Sequence, residues 1–246
     1  MMLIRRLLFL LLIWLSIGVG ALALGIPLTP ATATDGIYIY RQWHDPDGIG
    51  KFYQGREIAQ VMGHQGLLWL ERPSRMFEEA PDRAIAALNL PPDAVVADIG
   101  AGSGYLSFRL TYQVPKGKVW AVDVQPEMLD YLKFQQQALG IKNIETVLGT
   151  ERDPHLPPES IDLVLLTDAY HEFAYPYEMM TQIRAALKPG GRVVLLEYRR
   201  EDPLVLIKTL YKMSDRQARR ELAAVGFTWV ETAEFLPQQH FLVFER

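Results

Sequence analysis

Hydrophobic positions fall into three regimes along the chain. From Leu7 to Thr34 no residue is charged, and Leu7 to Leu24 is almost wholly Leu, Ile, Val, Ala, Trp or Phe. Between Gly55 and Leu88 apolar residues recur at helical spacing: Ile58, Val61 and Met62, then Leu67, Leu68 and Leu70, then Met76, Phe77 and Ala80, with breaks at Pro73 and Pro81. That pattern predicts two or three short helices, preceded by an irregular arm from Thr34 to about Lys51 rich in Tyr, Asp and Gly. After Pro91-Pro92 the period changes, and short runs rich in Val, Ile and Leu alternate with amphipathic stretches.

The alternation predicts strands at 94–99, 118–122, 144–148, 161–166 and 192–198. Helices are expected at 105–112, 127–139 and 177–187. Strand runs without polar alternation belong to a parallel sheet covered on both faces. A further helix opens at Ser214 as N-cap, runs to Val225 and stops at Gly226. The last two runs, 228–235 and 239–245, are joined by only a few residues around Pro237, too few for a parallel crossover, so they form an antiparallel hairpin. The expected fold is α/β: a Rossmann-like, seven-stranded, mostly parallel sheet with an antiparallel last strand, helices on both faces and an N-terminal helical cap.

The leader changes the reading of the composition. Arg5-Arg6, the apolar run, Pro27, Pro30 and Ala31-Thr32-Ala33 match a basic n-region, an h-region and a small-residue cleavage site. The run of about 18 residues also approaches the roughly 20 that span a bilayer. Residues 1–33 are therefore expected to be a signal peptide or a membrane anchor, with membrane contact through residues 7–24. Residues 34–90 form an arm and cap, and residues 91–246 the main domain. Either version of the leader exports the domain. The whole chain of 246 residues has 25 basic and 29 acidic residues, a net charge of −4, which becomes −6 without Arg5 and Arg6. Such an acidic domain is a poor partner for nucleic acid. The absence of cysteine excludes disulfides, thiolate metal sites and a cysteine nucleophile.

Candidate chemistry begins where the first strand of the main domain, Val95-Val96-Ala97-Asp98-Ile99, runs into Gly100-Ala101-Gly102-Ser103-Gly104. Glycines there let the backbone turn sharply and approach a ligand beside a helix N-terminus. A dinucleotide fingerprint would need glycine at 105, where Tyr105 stands. Asp98 would oppose a pyrophosphate but suits an ammonium group, and Asp123, closing the second strand, can accept both ribose hydroxyls. Two acids around a glycine turn fit a nucleoside that carries an amino acid.

With these residues in order, the chain from about Pro92 onward resembles the class I S-adenosylmethionine-dependent methyltransferases. Residues 96–104 are similar to their first motif and Ala121-Val122-Asp123 to the second. Residues 160–164 resemble the fourth-strand motif, and residues 187–192 the turn into the fifth strand. The resemblance implies S-adenosyl-L-methionine as cofactor, with Gly100, Gly102, Gly104 and Asp98 around its methionine part and Asp123 on its ribose. Adenine would lie near residues 149–153, against Glu151 or Asp153, Thr150 standing where the family commonly has Asp. Asp168, just after the fourth strand, joins the cofactor group.

Methyl transfer needs alignment of a nucleophile, exclusion of water and, where a proton must leave, a base. His171 and Glu172, after the fourth strand at the carboxyl edge of the sheet, are the acid–base candidates; His171 also reads as a hydrogen-bonded helix cap. Glu197, at the end of the fifth strand, Tyr105, Tyr170 and His64 are candidates for the substrate pocket, the tyrosines equally for core packing. No metal is expected, since His64, Asp168, His171 and Glu172 lack close ligand spacing. The acceptor would be a small molecule or an envelope component. A non-catalytic nucleoside-binding module on the same fold, or an NAD-dependent oxidoreductase, are the alternatives.

Overall fold

The structure, a computed structural model, describes residues 36–246. The leader expected at 1–33 lies outside the described residues. Among the described residues no helix is long and apolar enough to cross a membrane.

The first element differs from the sequence reading. Instead of an irregular arm followed by helix, residues 38–59 form an antiparallel three-stranded meander, β1 (Tyr38–Tyr40), β2 (Gly48–Tyr53) and β3 (Arg56–Ala59). Ile58 belongs to the last of these strands and not to a helix. The alternation of Tyr38, Tyr53 and Ile58 into a small core decides the matter, a non-local pairing that helical periodicity cannot register. Lys51 is held among the aromatic rings, its Nζ 3.9 Å from the Tyr38 ring centre and 3.2 Å from that of Tyr175. Burial pulls its pKa down to about 8 against the opposing charge of Glu178.

Helices then follow as expected, in short pieces: α1 (Leu67–Leu70), α2 (Arg75–Glu78) and α3 (Pro81–Ala87), the last opened by proline in its first turn. The main domain is β4 (Val95–Ile99), α4 (Tyr105–Gln113), β5 (Lys118–Asp123), α5 (Pro126–Leu139), β6 (Ile144–Leu148), β7 (Ile161–Thr167), α6 (Pro176–Ala186), β8 (Leu187–Tyr198), α7 (Asp215–Ala223), β9 (Thr228–Ala233) and β10 (Gln239–Glu245). Ser214 caps α7 as expected, its hydroxyl accepting from Gln217 N at 3.1 Å. β8 starts five residues earlier than its apolar run because Lys188–Gly191 is drawn into the ladder across a register shift against β7.

The seven strands run in the order β6-β5-β4-β7-β8-β10-β9, and β10 alone is antiparallel to its neighbours. Successive residues of the central strands serve opposite layers. Val96, Leu163, Leu165, Val194 and Val243 pack in one core; Ala97, Val164, Leu166, Val193 and Leu242 pack in the other. Burial on both faces explains the unbroken apolar runs. Asp162 ties two central strands at their start, accepting from Val95 N at 2.8 Å and from Lys188 Nζ at 2.7 Å. The chain leaves β4 first toward β5 and later returns to its other side as β7. This reversal opens a crevice at the carboxyl ends of β4 and β7.

A buried ion pair fastens the meander to the main domain. Arg56 Nε and Nη2 donate to the two carboxylate oxygens of Glu221 on α7 at 2.7 and 2.8 Å, and Nη1 donates to the His171 carbonyl at 3.0 Å. Tyr170 OH adds a bond to Glu221 at 2.9 Å. Both charges are fully desolvated, so removing one strands the other. Glu221→Ala is expected to lower stability by about 3–5 kcal/mol in a denaturant titration of the full chain; a change below about 1 kcal/mol would show that the pair bears no such strain.

Candidate active site

The crevice deepens into a cavity of about 610 Å³, within the roughly 300–1,000 Å³ of small-molecule sites. Its floor is the turn after β4. Gly100, Gly102 and Gly104 have φ of +76°, +53° and +82°, which side chains disfavour. Space is equally limiting: a Cβ at Gly100 would stand 2.7 Å from the Ala169 Cβ, and one at Gly102 2.8 Å from Leu70 Cδ1. The turn is stitched to β5, since Gly100 N and Ala101 N donate to the Val122 carbonyl at 2.9 and 3.0 Å and Gly102 N donates to Asp123 Oδ2 at 2.9 Å. Asp123 Oδ1 accepts from Gln125 N at 2.9 Å. Burial pushes its pKa up while these backbone N–H groups pull it back.

The wall opposite is the segment after β7. Asp168 is a non-glycine residue at φ +47°, a strained conformation of the kind concentrated in functional sites. Its Oδ2 accepts from Gln239 Nε2 at 2.8 Å, whereas Oδ1, like the neighbouring Thr167 Oγ1, is buried without a partner. Burial, then the charges of Glu79 and Glu197, raise the Asp168 pKa well above the usual carboxylate range, against the pull of Arg75 and His171. His171 lies one turn further on. Its Nδ1 is 2.6 Å from Glu197 Oε2 and its Nε2 3.8 Å from Glu172 Oε1. Burial alone would lower its pKa, but the Glu197 and Glu172 carboxylates outweigh it and hold the imidazole protonated up to about pH 10. Glu172 in turn accepts from Met62 N at 3.1 Å, which joins this turn to the cap.

A third wall comes from the cap. Arg75 Nε donates to Glu79 Oε2 at 2.6 Å, and Arg72 Nη2 donates to Glu79 Oε1 at 2.8 Å and to Tyr198 OH at 2.9 Å. Tyr198 OH donates to Glu79 Oε1 at 2.9 Å. This network lies over Asp168 and the end of β8, and all four side chains line the cavity.

Of the residues singled out in the sequence, the structure brings Gly100, Gly102, Asp123, Glu151, Asp168, His171 and Glu172 to the cavity wall. Asp98 lies beneath the glycine turn, accepting from Ser107 Oγ at 2.6 Å, with its pKa pushed up to about 6 by burial. Gly104 begins α4 against Phe108 and Leu132. Asp153 is turned away and accepts from His155 N at 2.8 Å. Four pocket candidates do not line the cavity. Glu197 stands behind it, holding Tyr170 N at 2.9 Å and His171, and Tyr170 is fully buried against Glu221. Tyr105 packs between Arg75 and Arg109, and His64 sits outside beside Glu127, its N–H donating to Gln125. The sequence reading missed Arg75, Glu79, Tyr198 and Thr167; only the clustering of Arg72, Arg75 and Glu79 at helical spacing marks two of them, Arg75 and Glu79.

A doubly wound sheet with β10 reversed, a glycine cradle too tight for any side chain and orphaned acceptors on the facing wall define the class. Residues 91–235 match the family described as a methyltransferase domain, and the chain belongs to that family. A methyltransferase-like protein of Schizosaccharomyces pombe is 33% identical over 138 residues, covering 56% of this chain and 51% of that protein. A methyltransferase of Mycobacterium bovis is 33% identical over 137 residues, covering 51% of this chain and 53% of its own length. The chain spans about half the length of these curated relatives. The crystal structure of a SAM-dependent methyltransferase from Aquifex aeolicus shares the fold, with a TM-score of 0.70 at 24% identity over 75% of this chain and 98% of that one. The chain therefore carries a methyltransferase domain, and the family and the shared fold support S-adenosyl-L-methionine as its cofactor.

The cradle and the orphaned oxygens fit that cofactor. The Thr167 hydroxyl, able to donate or accept, and Asp168 Oδ1 are buried without partners, and a cationic ligand would relieve the crowded carboxylates. Asp98 costs stability in the absence of such a cation. Asp98→Asn, which can still accept from Ser107, is expected to raise the melting temperature by the equivalent of about 1–3 kcal/mol. Because the aspartate pKa is raised, the gain should be full above pH 6 and vanish in acid; thermal melts across pH check it. The same variant should bind S-adenosylmethionine more weakly.

Proposed function

We propose that the protein transfers a methyl group from S-adenosylmethionine to a proton-bearing nucleophile delivered to the Asp168–Glu172 wall. The observation that carries this reading is the convergence of the glycine cradle, the orphaned Asp168 Oδ1 and the His171–Glu172 pair on one cavity. Bound there, the cofactor supplies an activated methyl group on a sulfonium centre. Gly100 and Gly102 let its methionine part approach the backbone, Asp123 holds the ribose, and Glu151, which faces the cavity where Asp153 does not, reaches toward adenine. Asp168 and, through the turn, Asp98 balance the positive charge.

Glu172 then accepts the proton that the nucleophile must lose. His171 as imidazolium holds Glu172 in place and offsets its charge, and Glu197 fixes the ring from behind. The cap excludes water from the reacting atoms. A non-catalytic nucleoside-binding role lacks any reason for the His171–Glu197 arrangement, and an NAD-dependent reaction would place Asp98 near a pyrophosphate.

Calorimetry with S-adenosylhomocysteine should show binding that is lost in Asp123→Ala; no binding to the intact folded protein would sink the reading. Activity should persist through neutral pH and fall as pH rises through about 10, where the imidazolium is lost. In Glu197→Gln that alkaline limb should move downward by more than one pH unit. A rate that instead rises toward pH 10 would make neutral His171 the base.

For location, we propose that the leader exports the domain or anchors it on the non-cytoplasmic side of a membrane. The support is the sequence of residues 1–33. Cell fractionation with sequencing of the mature N-terminus tests it: a start at Thr34 or an intact Met1 in membranes agrees, and a soluble cytoplasmic full-length chain refutes it.

A further inference from the structure

The cavity has two unlike ends. The deep end carries the polar groups already described. The outer end is built by Ile49 of β2, Val61 after β3, Trp69 of α1 and Leu206 in the segment between β8 and α7. These four line the cavity and are also open to solvent: Leu206 is 92% exposed, Val61 56%, Trp69 47% and Ile49 39%. Leu68 and Leu204, at 86% and 82%, extend the apolar surface beside them. An ion pair between Lys208 and Asp47, at 2.6 Å, ties the 204–208 segment to the loop before β2, so the rim is held together across two distant parts of the chain.

Single exposed leucines need no explanation, but apolar residues from four separate segments encircling the mouth of one cavity do. The charges beside this rim are paired: Lys208 with Asp47, and Arg72, stacked on the Trp69 ring at 3.8 Å, with Glu78 and Glu79. A wholly polar acceptor would gain nothing from such a mouth. Moreover, three of the four rim residues come from before residue 91, outside the segment that matches the methyltransferase family. The glycine turn and the wall after β7 thus lie in the family-matching segment, while the cap network and most of the outer end come from residues before it.

We propose that the methyl acceptor is an amphiphile: a small molecule with one polar, proton-bearing head that reaches Glu172 and a long apolar tail that leaves the cavity between Val61, Trp69 and Leu206. This rests on the assignment of the cavity as the methyl-transfer site. Burial of the tail supplies affinity in proportion to its length, while the head alone decides where the methyl goes. Such binding energy from the non-reacting part of the acceptor positions the head for transfer.

The test uses 4-methylphenol, 4-butylphenol and 4-octylphenol as probes, titrated into the full chain saturated with S-adenosylhomocysteine and followed by calorimetry and by Trp69 fluorescence, with Trp69→Phe as the control that isolates its signal. Affinity should rise with chain length, the octyl compound binding at least tenfold tighter than the methyl one. Leu206→Asp and Val61→Asp, both at exposed positions and therefore expected to fold, should reduce octylphenol affinity at least fivefold. Neither should change methylphenol or S-adenosylhomocysteine affinity, and Leu206→Met should keep the wild-type series. Affinity independent of chain length, or a length dependence untouched by both aspartate variants, would overturn the proposal and leave the rim as a surface for a protein partner. Failure of S-adenosylhomocysteine to bind, with the alkylphenol series intact, would instead refute the methyl-transfer reading and leave the apolar subsite standing.

Discussion

The arrangement of this protein follows from one electrostatic constraint: too many carboxylates converge on the carboxyl end of its sheet to be buried unaided. Asp98 and Asp123 follow from the ends of β4 and β5, Asp168 from the end of β7 and Glu197 from β8, with Glu221 behind them on α7. Asp98, Asp123, Glu197 and Glu221 are buried and Asp168 is partly so, and desolvation of charge at that scale is tolerated only with close counter-charges or protonation. The chain supplies the cations from elsewhere. Arg56 comes from the meander and Arg75 and Arg72 from the cap, while His171 is held protonated in the middle of the acids. The N-terminal segment is therefore part of the electrostatics of the site as well as its cover.

Compensation is incomplete. Asp168 keeps one oxygen without a partner, and burial holds Asp98 above its ordinary pKa against the pull of Ser107 and the charge of Arg75. Retaining carboxylates at a cost in stability is the mark of a site waiting for positive charge. A sulfonium cofactor with an ammonium group brings that charge to the place where the deficit lies. The same deficit explains why the turn after β7 accepts a left-handed aspartate: the strain positions a carboxylate that a relaxed backbone would direct elsewhere.

Much of the architecture is legible in the order of residues because its causes are local. The apolar runs of the central strands, buried on both faces, leave a clear signature in the sequence, whereas the edge strands β6 and β9 are more polar and more exposed. The glycine turn announces itself because only glycine fits φ near +76° against Ala169. Asp123 and the His171-Glu172 pair follow, since the ends of parallel strands at a switch point face the ligand. Tyr105, Tyr170, Glu197 and His64 illustrate the opposite case. Their chain positions near the edge of the sheet are right, yet rotamer and packing turn each away from the cavity, and Glu197 acts on His171 from behind.

The sequence by itself determined the sheet, its reversed last strand and the cradle, because strand period, turn conformation and short connections are properties of neighbouring residues; the cofactor followed from the resemblance those motifs carry. Only the tertiary structure decided the meander at 38–59, whose pairing depends on Tyr38, Tyr53 and Ile58 meeting across the chain. It alone decided which acids are compensated, since Arg56 and Glu221 stand 165 residues apart. The protonated state of His171 and the apolar mouth are likewise tertiary facts. Charge and solvent exposure are set by what surrounds a group in space, and no periodicity along the chain encodes that.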